Sequence, residues 1–128
     1  MPDARLRVYF DGGCRPNPGR IEIATVIAGV AVVTDDAGYG DNNDAEWLAL
    51  LAAARRAQAE GATVVEFFGD SALVVRQAMA IVPCRDPRFR AYLDTFRAAT
   101  ATLAACRVRL VPRAKNLAGI ALAARHPR

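Results

Sequence analysis

Apolar and more polar residues alternate at the start of the chain, where Leu6, Val8 and Phe10 occupy every second position. A period of two residues is typical of a strand with one buried face, so the pattern predicts a strand over residues 5–11. The residues that follow, 12–20, are rich in Gly and Pro, which predicts a turn rather than a continuation of the strand.

Runs of β-branched and aromatic residues indicate the other strands. We expect them over residues 21–34, around Tyr39 after a hairpin signal at 35–38, over residues 63–69 and over residues 107–111. Pro112 ends the last run, because proline has no N–H with which to continue a strand ladder. The first three strands follow one another through tight turns and are therefore predicted to be antiparallel.

Apolar faces that begin at capping residues indicate four helices. They are expected over residues 44–60 after the caps Asn42 and Asn43, from Ser71 to about residue 81, over residues 88–103, and from Asn116 onward with a buried stripe of Leu117, Ile120, Ala121 and Ala124. The resulting order, β-β-β-α-β-α-α-β-α, predicts an α/β fold in which a five-stranded mixed sheet carries helices on both faces. Since no linker or repeat interrupts it, the chain is predicted to be one domain over residues 1–128.

The composition indicates a folded protein in a reducing compartment. Its 128 residues are 53% apolar, which favours a compact core over disorder. No apolar stretch is long and charge-free enough to span a bilayer, and the first residues lack the pattern of a secretory signal. Three cysteines, at positions 14, 84 and 106, fit neither a disulfide framework nor a zinc site. We therefore expect a cytoplasmic protein that does not act at a membrane.

The net charge of +4 conceals an asymmetry between the two parts of the chain. The first 70 residues carry six arginines and eleven acids, whereas the last 58 carry eleven basic residues and two acids. An acidic part beside a basic part suits a nucleic-acid substrate bound together with a cation. Ordinary solvated arginine is the alternative, and charge alone does not decide between them.

Three acids are predicted to converge at one edge of the sheet. Asp11 and Asp70 each end an apolar strand that is followed by a turn, and Glu46 lies near the start of the first helix. Carboxylates gathered without a neighbouring base repel one another, so a cation is expected among them. Oxygen ligands of this kind suit Mg²⁺ or Mn²⁺.

Four segments of the chain, in order and spacing, resemble the type 1 ribonuclease H (ribonuclease HI) family. They are residues 9–19 (YFDGGCRPNPG), 42–50 (NNDAEWLAL), 69–77 (GDSALVVRQ), and 111–116 (VPRAKN) together with 122–123. The resemblance covers nearly the whole chain and implies a ribonuclease H-like fold. The short connection around Pro83 resembles the compact members, which lack a basic protrusion.

The resemblance implies a metal-dependent endoribonuclease that cuts the RNA strand of RNA–DNA hybrids. Two divalent ions, Mg²⁺ or Mn²⁺, would be held by Asp11, Glu46 and Asp70, with Asp11 bridging the pair. A metal pair of this kind orients the attacking water and stabilises the leaving oxygen of a phosphodiester. The hybrid would be the partner, and the protein is expected to act as a monomer.

The same resemblance assigns substrate contacts to residues of two loops and a helix. Gly12 and Gly13 lack side chains, so the backbone there can approach a sugar–phosphate chain closely. The other expected contacts are Cys14, Asn17, Asn42, Asn43, Ser71 and Arg76. Arg113 matches an arginine that replaces a product-releasing histidine in compact members, although a phosphate contact or a surface salt bridge is an equal alternative.

The chain departs from the family pattern at its last helix. The family places a fourth carboxylate four residues after the position of Asn116, where this chain has Ile120, and no acid occurs in the last 34 residues. Ile120 is expected to pack inward. Asn116 could offer its amide oxygen to the metal, or Glu22 could approach from the substrate loop. Otherwise the protein would be a weak or inactive module that binds hybrids or duplexes.

Two more residues bear on the site. Trp47 directly follows Glu46 and is expected to be part of the core rather than a stacking platform for bases. His126, the single histidine, is third from the end of the chain and is expected in a frayed tail.

Overall fold

The computed structural model describes residues 5–126, which form a sheet of six strands and four α-helices. The strands are β1 (Arg5–Cys14), β2 (Gly19–Ile27), β3 (Val30–Thr34), β4 (Tyr39–Gly40), β5 (Val64–Gly69) and β6 (Ala105–Leu110). The helices are α1 (Asn42–Ala59), α2 (Ala72–Ala78), α3 (Pro87–Thr100) and α4 (Leu117–Ala123). In the part of the chain described, no helix has the length and apolar character needed to cross a membrane.

The sheet is mixed, as the sequence predicts. Its strands lie in the order β3-β2-β1-β5-β6, with β4 paired to β2. β1 pairs in parallel with β5, and β5 in parallel with β6, whereas the pairs formed by β2 are antiparallel. Tyr9 is the partner of Phe68, so the register carried two residues further brings Asp11 and Asp70 to the same edge.

Two predicted strand boundaries are wrong. The run over residues 21–34 is not one strand, because Ala28 and Gly29 turn the chain back between β2 and β3. Both have positive φ, 50° and 78°, which is the conformation of a two-residue hairpin turn. The predicted turn over 12–20 is also too long, because β1 continues to Cys14 by pairing with β2. The sheet therefore has one more strand than the five expected.

Helices cover both faces of the sheet. On one face α1 packs on β1 and β2, with α3 against α1, around a core that contains Val8, Phe10 and Phe67. Trp47 is a fully buried member of this core and donates from Nε1 to Gln77 (3.1 Å), which confirms its predicted place. On the other face α4 packs on β1 and β2 over a smaller cluster.

The start of α1 is fixed by a capping box, and the N-cap of the helix lies before the predicted caps. Asp41, not Asn42 or Asn43, is the N-cap, and it exchanges hydrogen bonds with Asp44 in both directions (3.0 and 2.9 Å). Asp44 also accepts from the Arg88 guanidinium (2.9 Å) and from the Tyr92 hydroxyl (3.0 Å) on α3. Burial and the bond to Asp44 raise the pKa of Tyr92 to about 12, so the hydroxyl stays protonated and donates.

The buried face of α4 differs from the predicted stripe. Ala118 and Leu122 are buried, whereas Leu117 and Ile120 are 42% and 52% exposed. Nearly every residue of this helix is apolar, so the hydrophobic pattern does not distinguish one face from another. Asn116 caps the helix as predicted, with its Oδ1 accepting from the Ala118 N–H (3.1 Å).

The closest approach of α1 to β1 depends on the lack of a side chain at Gly12. A Cβ there would lie 2.2 Å from the carbonyl oxygen of Ala45, and backbone cannot yield as a flexible side chain can. We expect Gly12→Ala to destabilise the protein by about 2 kcal/mol or more, measured by denaturant unfolding.

Gly13→Ala is the matched control, because a Cβ at that position meets nothing nearer than Asn42 Oδ1 at 3.9 Å. Its effect should stay within about 1 kcal/mol. Equal losses of stability in the two variants would contradict a steric origin in the contact between α1 and β1.

Candidate active site

Three carboxylates converge near the C-terminal ends of β1 and β5 and the start of α1. Asp11, Glu46 and Asp70 each present an oxygen, and these oxygens lie within 4.8 Å of one another. Asp11 belongs to β1, Asp70 directly follows β5, and Glu46 projects from the first turns of α1. The structure thus brings together the three acids that the sequence analysis selected.

The Glu46 side chain is buried with one oxygen unsatisfied. Its Oε1 accepts from the Gly12 N–H (3.0 Å), but Oε2 has no hydrogen-bond partner among the described residues. Leaving a buried acceptor unpaired costs free energy, so such an atom calls for a ligand or a proton. A divalent cation between the carboxylates would supply the missing partner.

Burial and mutual repulsion raise the pKa of two members of the cluster. Desolvation raises the pKa of Glu46 well above its usual value, and the adjacent Asp11 raises it further. Burial also raises the pKa of Asp11, with the charge of Asp70 adding to the effect. The cluster therefore tends to retain a proton, which a bound cation would displace.

Asn116 holds Asp70 in place rather than offering an oxygen to a metal. Its Nδ2 donates to Asp70 Oδ2 (2.9 Å) and to the Phe10 carbonyl (3.0 Å), while its Oδ1 caps α4. The side chain is fully buried. The expectation that Asn116 is a metal ligand is therefore corrected, because the oxygen faces its own helix and the amide nitrogen faces the acids.

The start of α4 lies directly over Asp11. A Cβ on Gly119 would be 3.3 Å from Asp11 Oδ2, so the glycine allows this close approach. Ile120 lines the cavity at the site and is 52% exposed, which corrects the expectation that it packs inward. Its side chain offers no ligand at this position.

Glu22 lies near the cluster without joining it. It also lines the cavity, and its antiparallel partner is Gly13, so it shares a sheet face with Asp11. Its Oε1 lies 2.5 Å from His126 Nε2. The contact corrects the expectation that His126 lies in a frayed tail. No local sequence signal links this residue to Glu22, which precedes it by 104 positions.

A cavity of about 570 Å³ surrounds the acids and includes most of the predicted substrate contacts. Those that line it are Gly12, Gly13, Cys14, Asn42, Asn43, Ser71 and Arg113. Arg15 lines it as well, although the sequence analysis did not select it. Asn17 and Arg76 are not part of the lining, so the structure does not bring these two into the site.

Hydrogen bonds tie the loop after β1 to the start of α1. The Cys14 N–H donates to Asn42 Oδ1 (3.2 Å), and the Asn42 N–H donates to Asn17 Oδ1 (3.2 Å). Asn17 is exposed, and this hydrogen bond to Asn42 links it to the cavity that it does not line. Two loops distant in sequence thereby form one wall of the cavity.

The sequence of the chain is similar to proteins of known families. A family model described as reverse transcriptase-like matches residues 10–126. The ribonuclease HI of Halobacterium salinarum is 37% identical over 97 residues, which are 70% of this chain and 49% of that protein. The chain thus spans about half the length of this curated relative.

Solved structures match over almost the full length. The crystal structure of ribonuclease H1 from Halobacterium salinarum NRC-1 is 32% identical, with a TM-score of 0.86 over 93% of this chain and 94% of that one. LC11 ribonuclease H1, solved in complex with an RNA/DNA hybrid, is 27% identical, with a TM-score of 0.79 over 87% of this chain and 88% of that one. The sequence match and the shared fold agree: the chain belongs to the ribonuclease HI family.

Proposed function

We propose that the protein is a metal-dependent endoribonuclease that hydrolyses the RNA strand of RNA–DNA hybrids with two divalent ions. The observation that carries the proposal is the cluster of Asp11, Glu46 and Asp70, with one buried Glu46 oxygen unpartnered. The hybrid bound in the LC11 relative supports the choice of substrate.

The residues present fit a divalent cation. Three carboxylates in a partly buried pocket supply hard, anionic oxygens of the kind that Mg²⁺ and Mn²⁺ prefer. Asp11, Glu46 and Asp70 would hold the ions. When bound, such ions supply an activated water and stabilise the leaving oxygen of a phosphodiester.

The chain's own groups would orient the substrate and hold the ligands. Gly12 and Gly13 leave the backbone open to a sugar–phosphate chain, and backbone groups there can bond to a 2′-hydroxyl. Arg113 lines the cavity and would bind a phosphate as a fork of donors. Asn116 keeps Asp70 oriented through its amide nitrogen, so the carboxylate does not rotate away from the cluster.

A catalytically weak or inactive module that binds hybrids or duplexes is the second candidate. It is favoured by Ile120, which places an apolar side chain at the cavity where the family has a carboxylate. Glu22 lines the cavity from β2 and would favour an active enzyme by supplying the carboxylate that is missing at position 120. We further propose a monomer in the cytoplasm, a setting consistent with three unpaired cysteines.

Asp70→Asn is expected to abolish hybrid cleavage while leaving the fold intact, because it removes one negative ligand without changing the size of the side chain. The loss should be about a hundredfold or more. Cleavage of labelled hybrid, double-stranded RNA and single-stranded RNA, each with Mg²⁺ or Mn²⁺, measures it.

Asp94→Asn, at an exposed position of α3, is the matched control and should cut normally. Unchanged cleavage by Asp70→Asn would refute the site, and no hybrid cleavage by the wild type would favour the binding module.

Glu46→Gln is expected to stabilise the metal-free protein at neutral pH. The pKa of Glu46 is raised in the folded state, so folding favours the protonated acid and the free energy of unfolding falls as pH rises above the ordinary Glu value. An uncharged glutamine escapes this loss and can donate to Asp11, a gain of about 1–3 kcal/mol. Denaturant unfolding in EDTA across pH measures it.

The gain should shrink as the pH falls towards and below the usual pKa of a glutamate, where both forms are neutral. Glu60→Gln, at the exposed end of α1, is the control and should show no such pH dependence. A stabilisation that is larger in acid than at neutral pH would contradict the destabilising effect proposed for the buried Glu46 charge.

Ile120→Asp is expected to strengthen metal binding and raise activity. The position lines the cavity one residue beyond Gly119, which faces Asp11, so an added carboxylate would extend the acidic cluster. We expect about tenfold tighter Mn²⁺ binding by calorimetric titration. Leu117→Asp, on an exposed part of the same helix, is the control and should leave binding unchanged. Weaker binding by Ile120→Asp would show that α4 is arranged differently around the metal.

A further inference from the structure

One part of the sheet is left open on the face that carries α4. This helix packs chiefly on β1, β2 and β3, and the paired registers place the outward residues of β1, β5 and β6 side by side beyond it. We call this area the open sheet face; its residues are Arg5, Arg7, Tyr9, Val64, Glu66, Phe68, Ala105, Arg107 and Arg109. Most of it lies outside the cavity that holds the acids.

The open sheet face is strongly basic. A groove of about 930 Å³ lies where β1, β5 and β6 begin, and among residues 5–126 its charged lining consists of four arginines of this face and one acid, Glu66. Glu66 pairs with Arg109 (2.7 Å) and more loosely with Arg7 (4.0 Å), and those guanidinium side chains remain 50% and 75% exposed. Arg5 and Arg107 have no ion-pair partner among residues 5–126. One acid cannot neutralise four cations, so the groove keeps a positive potential.

An aromatic pair lies at the end of this surface nearest the acids. Tyr9 and Phe68 are cross-strand partners whose rings stack with centroids 5.1 Å apart, and both are half-buried. Tyr9 also packs against the cluster under α4, so Phe68 is the ring that faces the open side, next to β6. Arg109 is the next residue across the same row. Aromatic rings beside guanidinium planes offer stacking surfaces to unpaired bases, whereas bases inside a duplex are already stacked and paired.

We propose that the open sheet face binds single-stranded nucleic acid, separately from the cavity that holds the acids. The arginines would contact phosphates and the aromatic pair an unpaired base. Arginine suits this role better than lysine, since its planar fork pairs with phosphate and stacks on bases. An acidic protein segment would match the charge alone and would make no use of the rings.

The position of the open sheet face relative to the acids indicates the path that the bound nucleic acid would follow. Asp11 lies two residues beyond Tyr9 on β1, and Asp70 lies two residues beyond Phe68, directly after β5, so the aromatic pair stands between the basic groove and the acids. Arg113, which follows β6, lines the cavity that holds the acids and adds a further positive charge at that end of the surface. A single-stranded extension of a nucleic acid bound at the acids would therefore lie along β5 and β6.

The test measures binding to labelled oligothymidylate and oligouridylate of about 15 nucleotides by fluorescence anisotropy in EDTA, over a range of salt. The double variant Arg107→Gln/Arg109→Gln should bind about tenfold more weakly, and its salt slope should fall by about 1.4, which is about 0.7 for each phosphate that is no longer neutralised. Its binding of a blunt-ended hybrid should change by less than about twofold, because a blunt hybrid has no single-stranded extension to occupy the groove. Glu66→Gln should tighten single-strand binding, because it removes the one acid of the groove.

The control is Arg55→Gln/Arg97→Gln, which changes the charge equally at exposed positions of α1 and α3 on the other side of the sheet. It should reduce binding far less.

Three results would overturn the proposal. Single-strand binding is weakened equally in the two double variants, blunt-hybrid binding is weakened as much as single-strand binding, or the wild type shows no measurable single-strand binding. Displacement of the oligonucleotide by polyglutamate of equal charge would also overturn it, in favour of an acidic polypeptide. Since EDTA prevents turnover, a failure of hybrid cleavage would leave this result unaffected.

Discussion

Repulsion among three buried or half-buried carboxylates is the constraint on which the site depends. Asp11, Glu46 and Asp70 would separate if free, yet the fold holds their oxygens within 4.8 Å of one another. The parallel pairing of β1 with β5 brings the two aspartates to one edge, and α1 adds the glutamate. The cost appears in the raised pKa of Glu46 and in its unpartnered oxygen. A fold that keeps such a cluster gains from it when a cation binds.

Contacts outside the cluster make this arrangement rigid. The capping box of Asp41 and Asp44, clamped by Arg88 on α3, fixes the first turns of α1. Gly12 lets this helix approach β1, and its N–H holds one Glu46 oxygen. This preorganisation would favour the binding of a cation, since ligands that are already positioned lose little freedom when an ion arrives.

The sequence predicts those features of the molecule that depend on local pattern. An acid after an apolar strand pattern at Asp11 and at Asp70 predicts that the two lie together, although β1 in fact continues past Asp11 to Cys14. The order of elements also follows from periodicity, except for the division between β2 and β3. The Ala28–Gly29 turn was missed because it interrupts a continuous β-branched run. The exposed side of α4 was misassigned because its residues are apolar all round, and the contact of Glu22 with His126 depends on tertiary packing alone.

If the cluster is a metal site, Asp11, Glu46 and Asp70 must hold the divalent ion together. Anomalous diffraction from a crystal soaked in Mn²⁺ tests it most directly, because it locates the ion without relying on turnover. We expect a manganese peak in contact with oxygens of Asp11, Glu46 and Asp70, including the Glu46 oxygen that lacks a partner among the described residues. Manganese bound elsewhere, or a cluster that stays free of metal at saturating concentration, would contradict it.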